Sequence, residues 1–190
     1  MTSKDFILAS ASPQRIKLLE QIGYIPKAIC PADIDESELQ YERPSSYVKR
    51  MAREKALKVY AEHRGENVLA CDTIVVVGRR MLHKAKNDEE QTAVMKLLSG
   101  HAHKVLSAVC MVSKTGKISE RLVSTRILMK NLSSKEIKDY VASQEWVGCS
   151  GYKIEGRMEA YVRRIIGSYS GIIGLPLYET KNILEGTGIK

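Results

Sequence analysis

The sequence predicts an α/β fold, a mixed twisted sheet with flanking helices, because strand-like and helix-like segments alternate along the chain. Residues 104–113 and 118–129 look like two strands joined by a short turn, which indicates antiparallel pairing and hence a mixed sheet. A length of 190 residues with 44% hydrophobic residues suffices for one domain, or for two lobes around a cleft. We expect a single domain over residues 1–190.

The first half of the chain contains two predicted strands and two predicted helices. Residues 6–9 and 68–77 are apolar runs typical of buried strands. A helix is predicted at residues 13–22, because Ser12 is a favourable N-cap and is followed by a proline at the first helical position. A second helix is predicted at residues 46–62, where apolar residues recur at helical spacing.

The second half continues the alternation. A third helix is predicted at residues 88–98, followed by the two strands at 104–113 and 118–129. Another helix begins after Ser133, because Ser133 and Glu136 form a capping-box pattern ahead of apolar residues at helical spacing.

Composition excludes several classes of protein. No apolar stretch reaches the roughly 20 residues that a membrane-spanning helix needs, and residues 1–5 lead into a strand-like segment rather than a signal peptide. We therefore expect a cytoplasmic protein without a membrane partner. The cysteines are far apart and form no CxxC pair, which indicates neither a zinc site nor disulfides. We expect all four to be reduced and mostly buried: Cys30, Cys71, Cys110 and Cys149.

The net charge of +8 favours polyanionic partners such as nucleotides, nucleic acids or acidic membranes. Lys and Arg are dispersed rather than massed in a tail, and the chain has one Trp and one Phe beside its nine Tyr. Base stacking needs aromatic side chains, so nucleic-acid binding is the less favoured alternative.

Two charged residues interrupt apolar patterns. Asp72 lies inside the predicted strand 68–77, where a carboxylate is costly unless a cation pairs with it. It is either a structural acid, paired with an Arg or capping a turn, or a catalytic group. Lys55 interrupts the apolar stripe of the helix at 46–62. Its ammonium group either reaches water along its stem or binds a buried anion.

Residues 8–15 (LASASPQR) lead from a strand into a helix, and a helix N-terminus attracts anions. Arg15 is unfavourable in the first helical turn unless a negative ligand, such as a phosphate, lies between it and the backbone amides. The alternative is an ordinary capped helix with a solvated Arg15.

Other polar and glycine-rich segments are less specific. Lys84 follows the Asp72 strand through a turn and can return to the same strand end. Residues 151–156 and 167–177 are glycine-rich and allow the backbone to approach a ligand, yet neither matches a nucleotide-binding fingerprint. His101 and His103 follow a Ser-Gly turn, and we interpret them as structural rather than as metal ligands.

Taken in order, these segments resemble the Maf family of nucleoside triphosphate pyrophosphatases over nearly the whole chain. Residues 8–15 are similar to the family's opening LASxSPRR, and Lys84 to the lysine of its GKP. The other matching motifs are Ile34-Asp35-Glu36, Ala52-Arg53-Glu54-Lys55-Ala56, Cys71-Asp72-Thr73, Leu98-Ser99-Gly100-His101-Ala102-His103 and Gly174-Leu175-Pro176-Leu177.

The resemblance implies a two-lobed fold like that of inosine triphosphate pyrophosphatases, with the substrate in the cleft. It also implies a cytoplasmic homodimer that cleaves the α–β phosphoanhydride of a nucleotide with Mg²⁺ or Mn²⁺. Asp72 would then be the base that activates water, and Glu36 with Asp72 would bind the metal. The phosphate-binding groups would be Ser10, Arg15, Lys55 and Lys84, which agrees with the need of phosphoryl chemistry for cations and a placed carboxylate.

The resemblance leaves base specificity open. Gln14 lies where the dTTP/UTP subgroup has Arg and the 7-methyl-GTP subgroup has Trp. Thr73 resembles the dTTP/UTP subgroup, whereas Glu155 resembles the 7-methyl-GTP subgroup, in which an acid replaces the Gln of IQG. A carboxylate suits a base edge rich in N–H donors. Residues 147–151 (VGCSG) replace the family's DKAG without its lysine, which removes a cation from the expected site.

Two rival functions follow from the same residues. One is a basic nucleotide-binding or nucleic-acid-binding regulator linked to septum formation and cell division, which uses the cleft without hydrolysis. The other is a house-cleaning pyrophosphatase for deaminated purine nucleotides, which shares the reaction but not these motifs.

Overall fold

The computed structural model describes residues 3–190, so Met1 and Thr2 of the predicted domain lie outside the described residues. The strands are Lys4–Leu8 (β1), Pro26–Ile29 (β2), Val68–Val77 (β3), Arg80–Leu82 (β4), Ala102–Val112 (β5), Ile118–Met129 (β6) and Val162–Ile166 (β7). The helices are Pro13–Gln21 (α1), Pro44–Glu62 (α2), Asp88–Leu98 (α3), Ser134–Ala142 (α4), Tyr169–Ile173 (α5) and Leu177–Gly186 (α6), with a 3₁₀ helix at Arg157–Tyr161. None of the described helices is long and apolar enough to cross a membrane.

The strands form one mixed, seven-stranded sheet, as predicted. Its order is β2-β1-β3-β5-β6-β7, and β4 folds back onto β3. β1 pairs in parallel with both β2 and β3, whereas the pairs from β3 to β7 are antiparallel. Ligand sites in open α/β sheets form outside the carboxyl ends of parallel strands. In this sheet, Ser10 follows the end of β1.

One face of the sheet packs against α2. The apolar stripe of this helix is buried against alternate residues of β3 and β5, among them Ala70, Ile74 and Ala108. The buried residues recur at helical spacing along α2 and at every second position along the strands. These regular spacings made α2, β3 and β5 predictable from the sequence. The same face also receives the side chains of Lys55 and Asp72, which are both buried.

The opposite face of the sheet carries two separate apolar clusters. The first contains Cys71 of β3 together with residues of α1 and α6. The second contains Val75 of β3 together with residues of α3, α4 and the segment at 146–158. Side chains alternate along a strand, so Thr73 lies on this face between the two clusters. Residues of both sheet faces line the cleft, among them Thr73 and Val75 from this face and Asp72 from the face covered by α2.

Most predicted boundaries agree closely with the structure. The strands at 68–77 and 118–129 and the helix at 88–98 match, and the other predicted bounds differ by one or two residues. The capping box of Ser133 and Glu136 is present. Ser12 is the N-cap of α1, but its hydroxyl donates to Gln14 Oε1 instead of capping the helix.

Six elements were not predicted: β2, β4, β7, α5, α6 and the 3₁₀ helix. Each is short or carries glycines or charges that break an apolar period. The four cysteines are reduced, as predicted, but only two of them are buried. All four are free thiols, with Cys71 and Cys110 buried and Cys30 and Cys149 half-buried.

Candidate active site

The cleft between the two lobes has a volume of about 880 Å³. Its walls come from the start of α1, the loop before α2, the middle of β3, the segment after β4, residues 147–155 and residues 172–174. All nine site residues predicted from the sequence line it: Ser10, Gln14, Arg15, Glu36, Lys55, Asp72, Thr73, Lys84 and Glu155. Residues that are distant in sequence therefore meet in one site, although their individual roles stay predictions.

Lys55 connects two carboxylates on the cleft wall. Its Nζ atom lies 2.7 Å from Asp72 Oδ1 and 2.7 Å from Glu36 Oε1. The Lys55 and Asp72 side chains are each 11% exposed, whereas Glu36 is 57% exposed. From the sequence, the Lys55 ammonium group either reaches water or binds a buried anion. The structure supports the second interpretation, since the ammonium group contacts the buried Asp72 carboxylate. A buried carboxylate is costly unless a cation pairs with it. The cation that pairs with Asp72 is a lysine, whereas the structural interpretation of Asp72 named an arginine.

The loop that carries Glu36 is tied to α2 by two side chains. The Tyr47 hydroxyl donates to the Glu36 carbonyl oxygen at 2.9 Å, and Arg50 Nη2 donates to the Ser37 carbonyl oxygen at 2.9 Å. Burial, followed by the charges of Asp72 and Glu36, raises the pKa of Tyr47 to about 12. The hydroxyl therefore stays protonated at neutral pH and continues to donate, which holds the Glu36 backbone in place.

Arg15 joins the start of α1 to the glycine-rich segment near the C-terminus. Its Nε donates to the Gly174 carbonyl oxygen at 2.9 Å, and its Nη1 donates to Ser10 Oγ at 3.0 Å. The unfavourable position of Arg15 in the first helical turn is thus offset by these acceptors within the chain. A bound anion or a solvated side chain was predicted for Arg15, and its contact with Gly174 was not.

The Gly174 carbonyl also accepts from β3. Cys71 Sγ donates to it at 3.0 Å and Thr73 Oγ1 at 3.3 Å. Thr73 Oγ1 additionally lies 3.1 Å from Ser107 Oγ. Burial raises the pKa of the Cys71 thiol, which keeps it protonated as a donor. One backbone oxygen therefore fixes Arg15, Cys71 and Thr73 at the base of the cleft.

Lys84 and Glu155 line the wall of the cleft that is formed by the segment after β4 and residues 147–155. The backbone of Lys84 forms an isolated antiparallel bridge with Ser150, so the segment after β4 lies against the segment that leads to Glu155. Both side chains are exposed, and among residues 3–190 neither has an ion-pair partner within 4.0 Å. A cation and an anion are thus available to a ligand on this wall.

His103 is structural, in agreement with the sequence interpretation. Its ring is 2% exposed, and its Nε2 lies 2.8 Å from the Tyr152 hydroxyl oxygen. Burial lowers the pKa of His103 to about 4, so the ring is neutral at physiological pH. It packs behind the cleft wall rather than facing the cavity.

Four features of the cleft were not predicted from the sequence: Tyr47, the Gly174 carbonyl, Lys153 and the contact of His83 Nε2 with Glu38 Oε1 at 2.7 Å. A backbone carbonyl has no sequence signal. Lys153 had a weak signal, because it alternates with the apolar residues Tyr152 and Ile154.

Within residues 3–190, no cluster of three or more His, Cys, Asp or Glu side chains is arranged to hold a metal ion. Glu36 and Asp72 nevertheless converge on a single cation, the Lys55 ammonium group. Mg²⁺ is typically bound by one or two carboxylates, with water and substrate phosphates completing its six ligands. These two carboxylates therefore fit a divalent cation that is completed by a phosphate-bearing substrate.

The fold and the site define an α/β protein whose cleft combines a helix N-terminus, four cationic side chains and two convergent carboxylates, a combination suited to polyphosphate ligands. Residues 5–187 match the sequence model of the family described as Maf-like protein, and the chain belongs to this family.

Two curated relatives share close to half of their residues with this chain. A protein of Mesorhizobium japonicum named dTTP/UTP pyrophosphatase is 47% identical, over 97% of this chain and 92% of its own length. A protein of Rhodospirillum rubrum with the same name is 46% identical, over 100% of this chain and 90% of its own length. The HAM1 protein from Coxiella burnetii, a solved structure, is similar with a TM-score of 0.51 and 14% identity, over 98% of this chain and 100% of that one. The last similarity concerns the fold alone.

Proposed function

We propose that this protein is a nucleoside triphosphate pyrophosphatase that cleaves the α–β phosphoanhydride and releases a nucleoside monophosphate and pyrophosphate. The observation that carries the proposal is the placement of Lys55 between Asp72 and Glu36, 2.7 Å from each, on the wall of a cleft lined by further cations. The names of the curated relatives support dTTP and UTP as substrates.

In this proposal Asp72 is the general base. Its carboxylate takes a proton from a water molecule, and the water oxygen attacks the α-phosphorus as the bond to the bridging α–β oxygen breaks. The electron pair of that bond leaves with pyrophosphate. Lys55 holds the Asp72 carboxylate in position through the 2.7 Å contact, and a general base has to be oriented toward the proton that it takes.

The phosphates would bind along the wall formed by the start of α1 and at Lys84. The free backbone amides at the start of α1 would bind phosphate oxygens, as helix N-termini do. The Ser10 hydroxyl would donate a further hydrogen bond to them. The Arg15 side chain, which the Gly174 carbonyl oxygen holds in place, would contribute its positive charge. These groups neutralise the charge that collects on the leaving pyrophosphate, which is the main catalytic requirement in phosphoryl transfer.

Glu36 and Asp72 would hold the divalent cation, Mg²⁺ or Mn²⁺, which when bound supplies Lewis-acid neutralisation of the phosphate oxygens. Tyr47 contributes by fixing the Glu36 backbone at 2.9 Å. Gln14, Thr73 and Glu155 would contact the remainder of the nucleotide. We also propose that residues 1–190 form one domain, and that the protein works in the cytoplasm as a homodimer.

The experiment is a panel of nucleoside triphosphates with Mg²⁺ or Mn²⁺, in which monophosphate and pyrophosphate are measured for the wild type and for Asp72→Asn. Loss of the base should lower kcat by roughly a hundredfold or more. Asp139→Asn is the matched control, because Asp139 is paired with Lys135 on the exposed face of α4. Full activity of Asp72→Asn would remove Asp72 from the mechanism. No turnover of any nucleotide, together with salt-dependent binding of long polyanions, would instead favour the regulator.

A further inference from the structure

Gln91 is a polar residue in the apolar stripe of α3. The inward face of this helix is formed by Gln91, Met95 and Leu98, which recur at helical spacing and are each 0% exposed. Met95 and Leu98 belong to the apolar cluster that also contains Val75. A side-chain amide is costly to bury in such a cluster unless it makes hydrogen bonds, so its partners indicate what it does there.

The Gln91 amide makes one hydrogen bond, and it reaches the segment that lines the cleft. Its Nε2 atom donates to the Gly151 carbonyl oxygen at 2.7 Å. Its Oε1 atom is buried without a hydrogen-bond partner among residues 3–190. A buried oxygen without a partner costs free energy, so stability alone does not account for a glutamine at this position.

Gly151 is the central residue of a tight turn. The Tyr152 amide donates to the Ser150 carbonyl oxygen at 3.1 Å, which closes a γ-turn, and Gly151 has a φ of 81°. A γ-turn with a positive φ at its centre is the rare and strained type. A Cβ atom at Gly151 would lie 3.1 Å from Val75 Cγ2, so the turn also lies close against β3. A strained turn persists only where the surrounding contacts hold it.

This turn connects Gln91 to the cleft. Ser150 and Tyr152 line the cavity, whereas Gly151 between them does not, and its carbonyl oxygen is directed to Gln91. The backbone of Ser150 in turn forms the antiparallel bridge with Lys84. A glycine at positive φ allows the adjoining peptide to rotate once its hydrogen bond is lost. Such a rotation would displace Ser150 and, with it, the backbone of Lys84.

We propose that Gln91 is a positioning residue for phosphate binding, which holds the Gly151 turn and thereby keeps the Lys84 ammonium group within reach of the ligand's phosphates. The inference rests on the proposed function for the role of Lys84. Gln91 does not line the cavity, so its effect reaches the ligand only through the turn. Among residues 3–190, Lys84 has no ion-pair partner within 4.0 Å, so the position of its backbone decides where its ammonium group reaches.

The first test is Gln91→Met, which keeps the length of the side chain and removes the donor. We expect KM for UTP to rise about fivefold while kcat stays within about twofold, because one hydrogen bond that supports phosphate binding is lost and the reacting groups are untouched. Binding of inorganic tripolyphosphate in the presence of Mg²⁺, measured by calorimetry, should weaken by a similar factor. A purely structural role would lower kcat through the folded fraction and leave KM and the tripolyphosphate affinity unchanged.

Asn67→Leu is the matched control. Asn67 is also a buried side-chain amide, and its Nδ2 donates to the Asp5 carbonyl oxygen at 2.9 Å, outside the cavity lining. This variant should lose stability in urea unfolding and keep the wild-type KM and tripolyphosphate affinity. Gln91→His retains an N–H donor and should keep most of the affinity that Gln91→Met loses. Equal losses in Gln91→His and Gln91→Met would overturn the proposal, because the donor would then not be the cause.

A double-mutant cycle tests the route through Lys84. In a Lys84→Met background, Gln91→Met should weaken tripolyphosphate binding by less than about twofold, because the ammonium group that it positions is already absent. Equal factors with and without Lys84 would overturn the proposal, and so would an unchanged affinity of the Gln91→Met single variant.

Binding and turnover together separate this inference from the proposed reaction. If the wild type hydrolyses no nucleotide but Gln91→Met weakens tripolyphosphate binding in a manner that depends on Lys84, the reaction fails and the positioning role stands. If the wild type hydrolyses UTP and Gln91→Met changes neither KM nor tripolyphosphate binding, the reaction stands and the positioning role fails.

Discussion

Lys55 and Asp72 form a buried ion pair in which Lys55 Nζ lies 2.7 Å from Asp72 Oδ1 and each side chain is 11% exposed. Lys55 comes from the helix that covers one sheet face and Asp72 from the central strand β3. The pair therefore links the apolar core directly to the wall of the cleft, and its two members have separable effects on stability and on activity.

Replacing Lys55 with Met should destabilise the fold by about 2–3 kcal/mol, because the buried Asp72 carboxylate then keeps only solvent from the cleft as a partner. Urea unfolding of Lys55→Met and of the wild type at neutral pH measures this loss. Activity should also fall, since Lys55 no longer holds the Asp72 carboxylate in position.

The double variant Lys55→Met/Asp72→Asn distinguishes the two effects. It removes both charges, so we expect most of the lost stability to return while hydrolysis stays abolished. If the double variant is as unstable as Lys55→Met alone, packing of the lysine stem and not the unpaired carboxylate accounts for the loss.

Tyr47→Phe should lower kcat severalfold, because the Glu36 carbonyl oxygen loses the hydroxyl that holds it at 2.9 Å. We expect only about 1 kcal/mol of lost stability, the usual contribution of one hydrogen bond. Tyr60→Phe is the matched control, since Tyr60 lies on the same helix and its hydroxyl donates to the Lys114 carbonyl oxygen at 3.2 Å, away from the cleft. Equal activity losses in the two variants would show that the contact with Glu36 has no special role.

The fold was predictable from sequence where an element is long and its apolar period is regular. β3 and α3 have the predicted bounds because burial on one or both faces leaves a clear pattern. β6 also has the predicted bounds, although its residues alternate between buried and less buried only from Thr125 to Met129. β7 was missed because Arg163 and Arg164 stand inside it, and only its pairing with β6 makes it a strand. β4 has three residues, too few for a period to be detected.

The site was predictable where a charge stands in an apolar pattern. Asp72 and Lys55 are both conspicuous for that reason, and the structure joins them. Glu36 came from the family resemblance alone, because an exposed acid in a loop has no physical signature. The Gly174 carbonyl was unpredictable, since any residue supplies a backbone oxygen and only the fold brings this one to Arg15.

Arg15→Lys should raise KM for the nucleotide and lower kcat/KM roughly tenfold, even though the charge is kept. A lysine has no fork of donors with which to contact the Gly174 carbonyl and Ser10 Oγ together, so its ammonium is not held toward the phosphates. Steady-state kinetics with UTP measures the change. Arg53→Lys is the control, because Arg53 makes a comparable two-point contact with Glu120 on an exposed surface. Identical kinetics of Arg15→Lys and wild type would contradict a role in substrate binding.

The stability of the protein should fall as the pH drops from about 6.5 to about 4, with a contribution from His103. Burial lowers the pKa of this ring to about 4 in the folded chain, while an unfolded chain binds the proton near its ordinary value of 6.5. Between these values the unfolded state holds more protons, so acid favours unfolding, and the effect levels off below pH 4. The loss is of the order of 3 kcal/mol.

His103→Gln should remove this share of the pH dependence, because glutamine does not titrate and can still bond the Tyr152 hydroxyl that His103 Nε2 contacts at 2.8 Å. Urea unfolding midpoints at pH 7, 5.5 and 4.5 measure the difference, with the exposed His101→Gln as the control that should follow the wild type. Parallel profiles for His103→Gln and wild type would contradict the assignment.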